Sequence, residues 1–220
     1  MRKAMSYQQL SNTLIIKVPY GMTPEEFKQR IITDSLDTIL TDILLSDEAK
    51  HVTIDQQNLI RKSLSEKFNV PIDSINLIIV GSAKLGFSIS EKKNKIDNSV
   101  LPRYRQFSPQ SDIDLAIICT PIFEILWNEL SKYSFSVPYY PWQSNKFGNY
   151  LVCGWIRPDF FPQRVRLRKC DDWWDTFRYL SSRQVLGRRR IRGGLFYNLE
   201  QLKTYQSKAL LECINIEKLK

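Results

Sequence analysis

The sequence predicts an α+β fold in which two helices lead into a strand-rich centre and two further helices close the chain. Three observations predict it. Apolar residues recur at helical spacing over 24–46 and again after Thr53. Two β-branched runs, 75–80 and 111–119, then replace that period with strand-like patterning. Helical spacing returns over 172–186 and 195–218. At 220 residues the chain suits one large domain or two small ones. With 43% hydrophobic and 25% charged residues, it is not wholly disordered, collagen-like or a disulfide scaffold.

The first twenty residues are polar apart from Leu14-Ile15-Ile16, a short strand or a docking arm. Thr23-Pro24-Glu25-Glu26 has the form of a helix start. Thr23 suits the cap, Pro24 the first helical position, and Glu26 lies three residues after the cap. Phe27, Ile31, Ile32, Leu36, Leu40, Ile43 and Leu44 follow, so one helix is expected over about 24–46. The second runs from after Thr53 through Leu59, Ile60, Leu64 and Phe68, and Pro71 ends this unit. Ile75–Val80 is a buried strand that delivers Gly81-Ser82 to a turn and a helix start. Residues 91–110 are polar, contain Pro102 and Pro109, and form a loop. The second strand is Ser111–Cys119, with Asp112 and Asp114 on one side because strand side chains repeat every two residues. A helix over 121–133 and an aromatic, Pro-rich loop over 134–149 come next. Tyr150–Ile156 is the third strand candidate and Arg164–Arg168 the fourth, before the helices at 172–186 and 195–218. Three segments result: a helical one over 1–70, a core over 71–170 and a helical one over 171–220.

Charge is concentrated. The net charge is +9, and +7 of it lies in residues 157–192, with 11 basic against 4 acidic side chains. Arg164, Arg166, Arg168, Arg188, Arg189, Arg190 and Arg192 form its densest parts. Like charges packed together repel unless an anion neutralises them, so a phosphate-facing patch is expected, with RNA or another polyanion as partner. The four cysteines have no C-x-x-C spacing and the only histidine is His51, which gives no zinc motif. Reduced thiols suit a cytoplasmic protein. No run of about 18 apolar residues exists to span a membrane.

Two features carry chemistry. A Gly-Ser turn after a buried strand offers backbone N–H groups and a hydroxyl to phosphate oxygens. A D-x-D opening the next strand sets two carboxylates side by side, the oxygen ligands that Mg²⁺ takes together with water and substrate phosphates. Gly81-Ser82 followed by Ser111-Asp112-Ile113-Asp114-Leu115 resembles the nucleotidyltransferase superfamily of DNA polymerase β type, whose signature is G-S, a helix, then D-x-D on the next strand. The resemblance covers about residues 75–120. It implies a mixed sheet flanked by helices and an activity that moves a nucleoside monophosphate from a nucleoside triphosphate, with ATP expected, to an acceptor hydroxyl. It also implies Mg²⁺ or Mn²⁺ held by Asp112 and Asp114, with Gly81 and Ser82 at the nucleotide phosphates.

The chain departs from that signature in two ways. The spacing from Ser82 to Asp112 is long, because of the 91–110 insertion. The resemblance also implies a third carboxylate on a later central strand, and the run Val165–Arg168 carries arginines there. Asp159, after the Tyr150–Ile156 strand, is the expected third carboxylate, ahead of Asp171 and Asp172. Lys84, one turn into the helix, and Arg105, ahead of the D-x-D strand, are phosphate candidates. Arg103 shares that position, either at a triphosphate or as a loop charge. Tyr139, Tyr140 and Trp142 are better placed to stack a base than Trp155, Trp173 and Trp174, which sit at core-like spacings. The alternative function is a nucleotide- or RNA-binding protein of the same fold with little chemistry, working with a protein partner in a toxin–antitoxin or defence-type assembly.

Overall fold

The computed structural model describes residues 21–94, 97–138, 146–162 and 165–219. The run Leu14–Ile16, the loop aromatics Tyr139, Tyr140 and Trp142, and Arg164 lie outside the described residues. The fold is α+β, with helices around a mixed four-stranded sheet.

Helix α1 (Pro24–Thr33) starts at a capping box. Thr23 Oγ1 accepts from the Glu26 N–H at 3.2 Å, and the Thr23 N–H donates to the Glu26 carboxylate at 2.7 Å. The single helix expected over 24–46 is broken at Asp34 and Ser35, whose backbones are extended. Their side chains compete with the helical ladder: Asp34 pairs with Arg30 at 2.7 Å, and Ser35 accepts from the Thr38 N–H at 3.1 Å. The chain resumes as α2 (Leu36–Ile39) and a wide π turn, Leu40–Leu44. Most of the apolar stripe survives the break, with Phe27, Ile31, Leu40, Ile43 and Leu44 buried, whereas Ile32 is exposed. Helix α3 (Ile54–Phe68) begins at a second capping box, Thr53 with Gln56.

Strand β1 (Asn76–Val80), the short α4 (Ser82–Leu85) and α5 (Thr120–Ser136) lie where the sequence predicts them, while β4 (Ile113–Ile118) starts two residues after Ser111 and leaves Asp112 just ahead of it. Within the 91–110 stretch, expected to be a loop throughout, β2 (Lys92–Lys93) and β3 (Val100–Leu101) pair as a small antiparallel hairpin.

The second half needs three corrections. Tyr150, Leu151 and Val152 belong to helix α6 (Lys146–Val152), and only Trp155–Ile156 forms strand β5. A short apolar run does not by itself distinguish strand from helix. The strand expected at Arg164–Arg168 is absent among the described residues. Arg168 instead opens helix α7 (Arg168–Ser182), which has no cap of its own. The Glu129 carboxylate on α5 caps it from a distance, accepting from the N–H groups of Lys169 at 2.8 Å and Cys170 at 2.9 Å. That anion also offsets Arg168 and Lys169, two cations at the positive end of the helix. The last helix, α8 (Leu199–Lys218), starts four residues later than expected, behind an Asn198–Gln201 capping box. The residues before it, Ile191–Phe196, are strand β6, where the sequence predicts none.

The sheet order is β1-β4-β6-β5. β1 and β4 are antiparallel, β4 and β6 parallel, and β6 and β5 antiparallel. One face carries Leu77, Ile79, Leu115, Ile117 and Leu195 against α3, α5 and α7. The other carries Ile78, Ala116 and Phe196 against Leu202 of α8. A third apolar cluster joins α1 and α2 to Leu85, Phe87 and Ile89 and to Leu210 and Cys213 of α8.

Strand β6 is squeezed at Gly193 and Gly194. A methyl on Gly193 would lie 2.5 Å from Phe177 Cζ and 2.9 Å from Ile117 Cδ1, and one on Gly194 would lie 2.8 Å from Trp155 Nε1. Gly193→Ala is therefore expected to cost about 1–3 kcal/mol through overpacking. Urea denaturation checks this, and an unchanged midpoint would contradict the close approach of α7.

Candidate functional site

The site forms where three strand ends meet. In the antiparallel register Val80 sits opposite Asp114, so the Gly81-Ser82 turn leaves β1 beside the D-x-D. Gly81 has φ +67° and ψ −148°, a conformation open to a residue without Cβ. A methyl there would lie 3.7 Å from Asp114 Oδ2, so the backbone of the turn approaches that carboxylate closely. The parallel register sets Arg192 of β6 next to Asp114. Its Nη2 pairs with Asp112 Oδ2 at 3.0 Å. The structure thus brings together Gly81, Asp112, Asp114 and Arg192, with Ser82 following Gly81 at the start of α4.

A cleft of about 330 Å³ opens here, lined by Gly81, Asp114, Arg157, Asp159, Arg192 and Tyr205 among others. Asp159, on a 3₁₀ turn after β5, reaches the same cleft as Asp114. It pairs with Arg157 at 2.8 Å, and the Arg157 guanidinium lies over the rings of Tyr150, Trp155 and Phe160 at 5.1–5.2 Å. Trp155 stacks on Phe196 with centroids 5.4 Å apart, and its buried Nε1 has no hydrogen-bond partner among the described residues. Asp114 is exposed as a residue, but the protein atoms packed around its carboxyl push it above the usual aspartate range; Arg192 opposes this, while Asp112 and Asp159 add to it.

The other phosphate candidates are placed differently. Lys84 lines the cleft with its stem, but its ammonium donates to the Ser46 carbonyl, the Ser46 hydroxyl at 2.9 Å and the Glu48 carbonyl. All three protons are used in tying α4 to the 46–48 segment. Burial lowers its pKa to about 8, against the pull of Asp47 and Glu48. Arg105 donates to the carbonyls of Ser90, Leu101 and Pro102, which organises the insertion loop instead of facing the cleft. Arg103 donates to the Ile89 carbonyl at 2.8 Å. Asp172 pairs with Lys67 at 3.0 Å, and Trp173 is buried in the core.

The basic segment divides. Arg166 and Arg168 are exposed around the start of α7, whereas Arg188, Arg190 and Arg192 are exposed at the start of β6. Arg189 turns inward, donating to the carbonyls of Ser108 at 2.5 Å and Ser111 at 3.1 Å, with its guanidinium 4.3 Å from the Phe107 ring centroid.

Among the described residues no three His, Cys, Asp or Glu side chains gather into a cation cluster. The strand beside the D-x-D presents Arg192, and the expected third carboxylate, Asp159, comes from the turn after β5. Asp112 and Asp114 remain an all-oxygen pair of the kind that fits a hard cation whose shell water and phosphate complete. Because Arg192 holds Asp112, the pair suits a cation that arrives with phosphate better than one binding alone. Sequence reasoning missed Arg157 and Tyr205 in the cleft and took Arg192 only as part of a basic stretch. Arg157, two residues ahead of Asp159, is the local signal for one of them. Tyr205 had none, since its place depends on α8 crossing the sheet. Among the described residues no helix is long and apolar enough to cross a membrane. No family model, curated protein or solved structure matches the chain.

Lys84→Met is expected to lower stability to urea by about 1–3 kcal/mol, because it orphans buried acceptors. A lysine serving phosphate would instead lose nucleotide affinity at unchanged stability. In metal-free protein, the Asp114 carboxyl followed by NMR should titrate above the ordinary aspartate range. Removing the cation in Arg192→Leu should move its midpoint up, and removing the like charge in Asp112→Asn should move it down.

Proposed function

We propose that the chain is a nucleotidyltransferase that binds a nucleoside triphosphate in this cleft and passes its nucleoside monophosphate to an acceptor hydroxyl. The observation that carries this reading is the register of Val80 with Asp114, which sets the Gly-Ser turn beside the D-x-D across 29 intervening residues. Gly81, without a side chain, lets phosphate approach the backbone, and the Ser82 hydroxyl and N–H groups of the turn bind its oxygens. Arg192 offers a forked donor to the same phosphates. Asp112 and Asp114 would hold Mg²⁺ or Mn²⁺, which when bound neutralises phosphate charge and acidifies the acceptor hydroxyl.

In the transfer step the acceptor oxygen bonds to the α-phosphorus. The bond from that phosphorus to the oxygen bridging to the β-phosphate breaks, and pyrophosphate leaves. The acceptor proton passes to Asp159, the cleft carboxylate outside the D-x-D, and from there to water.

A second reading, nucleotide or RNA binding with slow or no transfer, within a toxin–antitoxin or defence-type assembly, is favoured by Arg192. It brings positive charge to the place where a third carboxylate would serve the chemistry.

Incubation with each α-labelled triphosphate, Mg²⁺ or Mn²⁺, and total RNA or cell lysate separates the two. Label transfer is expected, with a loss of at least about 100-fold in Asp112→Asn/Asp114→Asn. Arg192→Leu should weaken triphosphate binding roughly tenfold. Triphosphate binding without transfer to any acceptor would leave the second reading.

A further inference from the structure

A second, wider groove of about 920 Å³ lies against the cleft, and Pro158, Asp159, Arg192 and Gly193 line both. Its other wall comes from Trp174 and Arg178 of α7 and from Gln184, Arg188 and Arg190 of the segment before β6. Trp174 is 37% exposed, its ring meeting Phe161 edge-on with centroids 6.5 Å apart. Arg178 is paired with Asp175 at 2.5 Å. Arg188 and Arg190 are exposed, and neither pairs with a carboxylate among the described residues. Arg189, between them, turns inward to the carbonyls that precede the D-x-D strand. The three-arginine run therefore braces the catalytic strand with its middle member and gives the flanking two to the groove.

Unneutralised guanidinium groups beside an exposed indole have the chemistry that takes up single-stranded nucleic acid: cations for the backbone and a ring for a base. An acidic protein would use the charges but not the indole. We propose that this groove docks a single-stranded nucleic acid and that its 3′-terminal hydroxyl, entering the cleft over the shared ridge, is the acceptor. The acceptor role rests on the transferase reading, whereas the docking does not.

The test uses the full chain and 5′-fluorescein-labelled 12-nucleotide RNA and DNA of one sequence, followed by anisotropy without nucleotide or divalent cation. Binding of either sugar supports docking, and the tighter of the two identifies the source. Arg188→Glu/Arg190→Glu should weaken binding at least about tenfold and flatten the slope of log affinity against log salt by roughly 1.4, the loss of two phosphate contacts. Trp174→Leu should weaken it at least about fivefold. Arg166→Glu/Arg168→Glu, the same charge change outside the groove, should cost less than about threefold. Urea midpoints check that each variant folds.

Equal losses in the two double variants, or competition by polyglutamate as strong as by RNA, would overturn the docking. With a labelled triphosphate and Mg²⁺, label should appear on the free oligonucleotide and vanish when its 3′ hydroxyl is blocked. Label only on other acceptors overturns the acceptor role and leaves the transferase. No label on any acceptor overturns the transferase reading and the acceptor role together, and leaves docking to stand on the anisotropy.

Discussion

Strand β6 has room for no side chain at two successive positions, and the site depends on that. Gly193 lets Phe177 of α7 come down on one face of the sheet, and Gly194 lets Trp155 come down on the other. With both approaches open, β6 lies parallel to β4 as an inner strand and β5 pairs outside it. That order sets Arg192 beside Asp114 and carries Arg157 and Asp159 round to the same cleft. A bulkier residue at either glycine would push a helix or an indole away from the sheet and widen the place where the charges now meet.

The cleft gathers charges of both signs that would be costly apart. Asp112 and Asp159 raise the affinity of Asp114 for protons, while Arg192 lowers it again. Arg192 meets Asp112 there at 3.0 Å and Arg157 meets Asp159 at 2.8 Å. Lys84 shows the contrary use of a charge. Its ammonium is buried, fully hydrogen-bonded, and serves to hold the Gly-Ser turn against the segment after the π turn.

How much was legible follows from how local each signal is. Capping boxes at Thr23 and Thr53, the β-branched run of β1 and the alternation of β4 are written within a few residues, and all four elements are found, although α1 ends at Thr33 and not near residue 46. Strand β6 went unread because two glycines interrupt its apolar pattern, although the glycines are there to admit neighbours on both faces. Helix α7 was anticipated four residues too late, since Glu129, about 40 residues upstream in the chain, supplies its cap. Lys84 and Arg105 looked like phosphate ligands by position. Their donors turn instead to carbonyls brought near by the fold, which sequence spacing does not reveal.

By itself the sequence determined that the chain is α+β, that Gly81-Ser82 follows one strand and Asp112-x-Asp114 opens another, and that the excess positive charge lies downstream of both. Each of these is a property of composition or of spacing within one element. Only the tertiary structure decided that the turn and the D-x-D lie side by side, that Arg192 stands beside Asp114, and that Arg189 faces inward while Arg188 and Arg190 face a groove. Those are outcomes of register and of packing between strands far apart in the chain. A shift of one residue in either pairing would put Asp114 or Arg192 on the opposite face of the sheet.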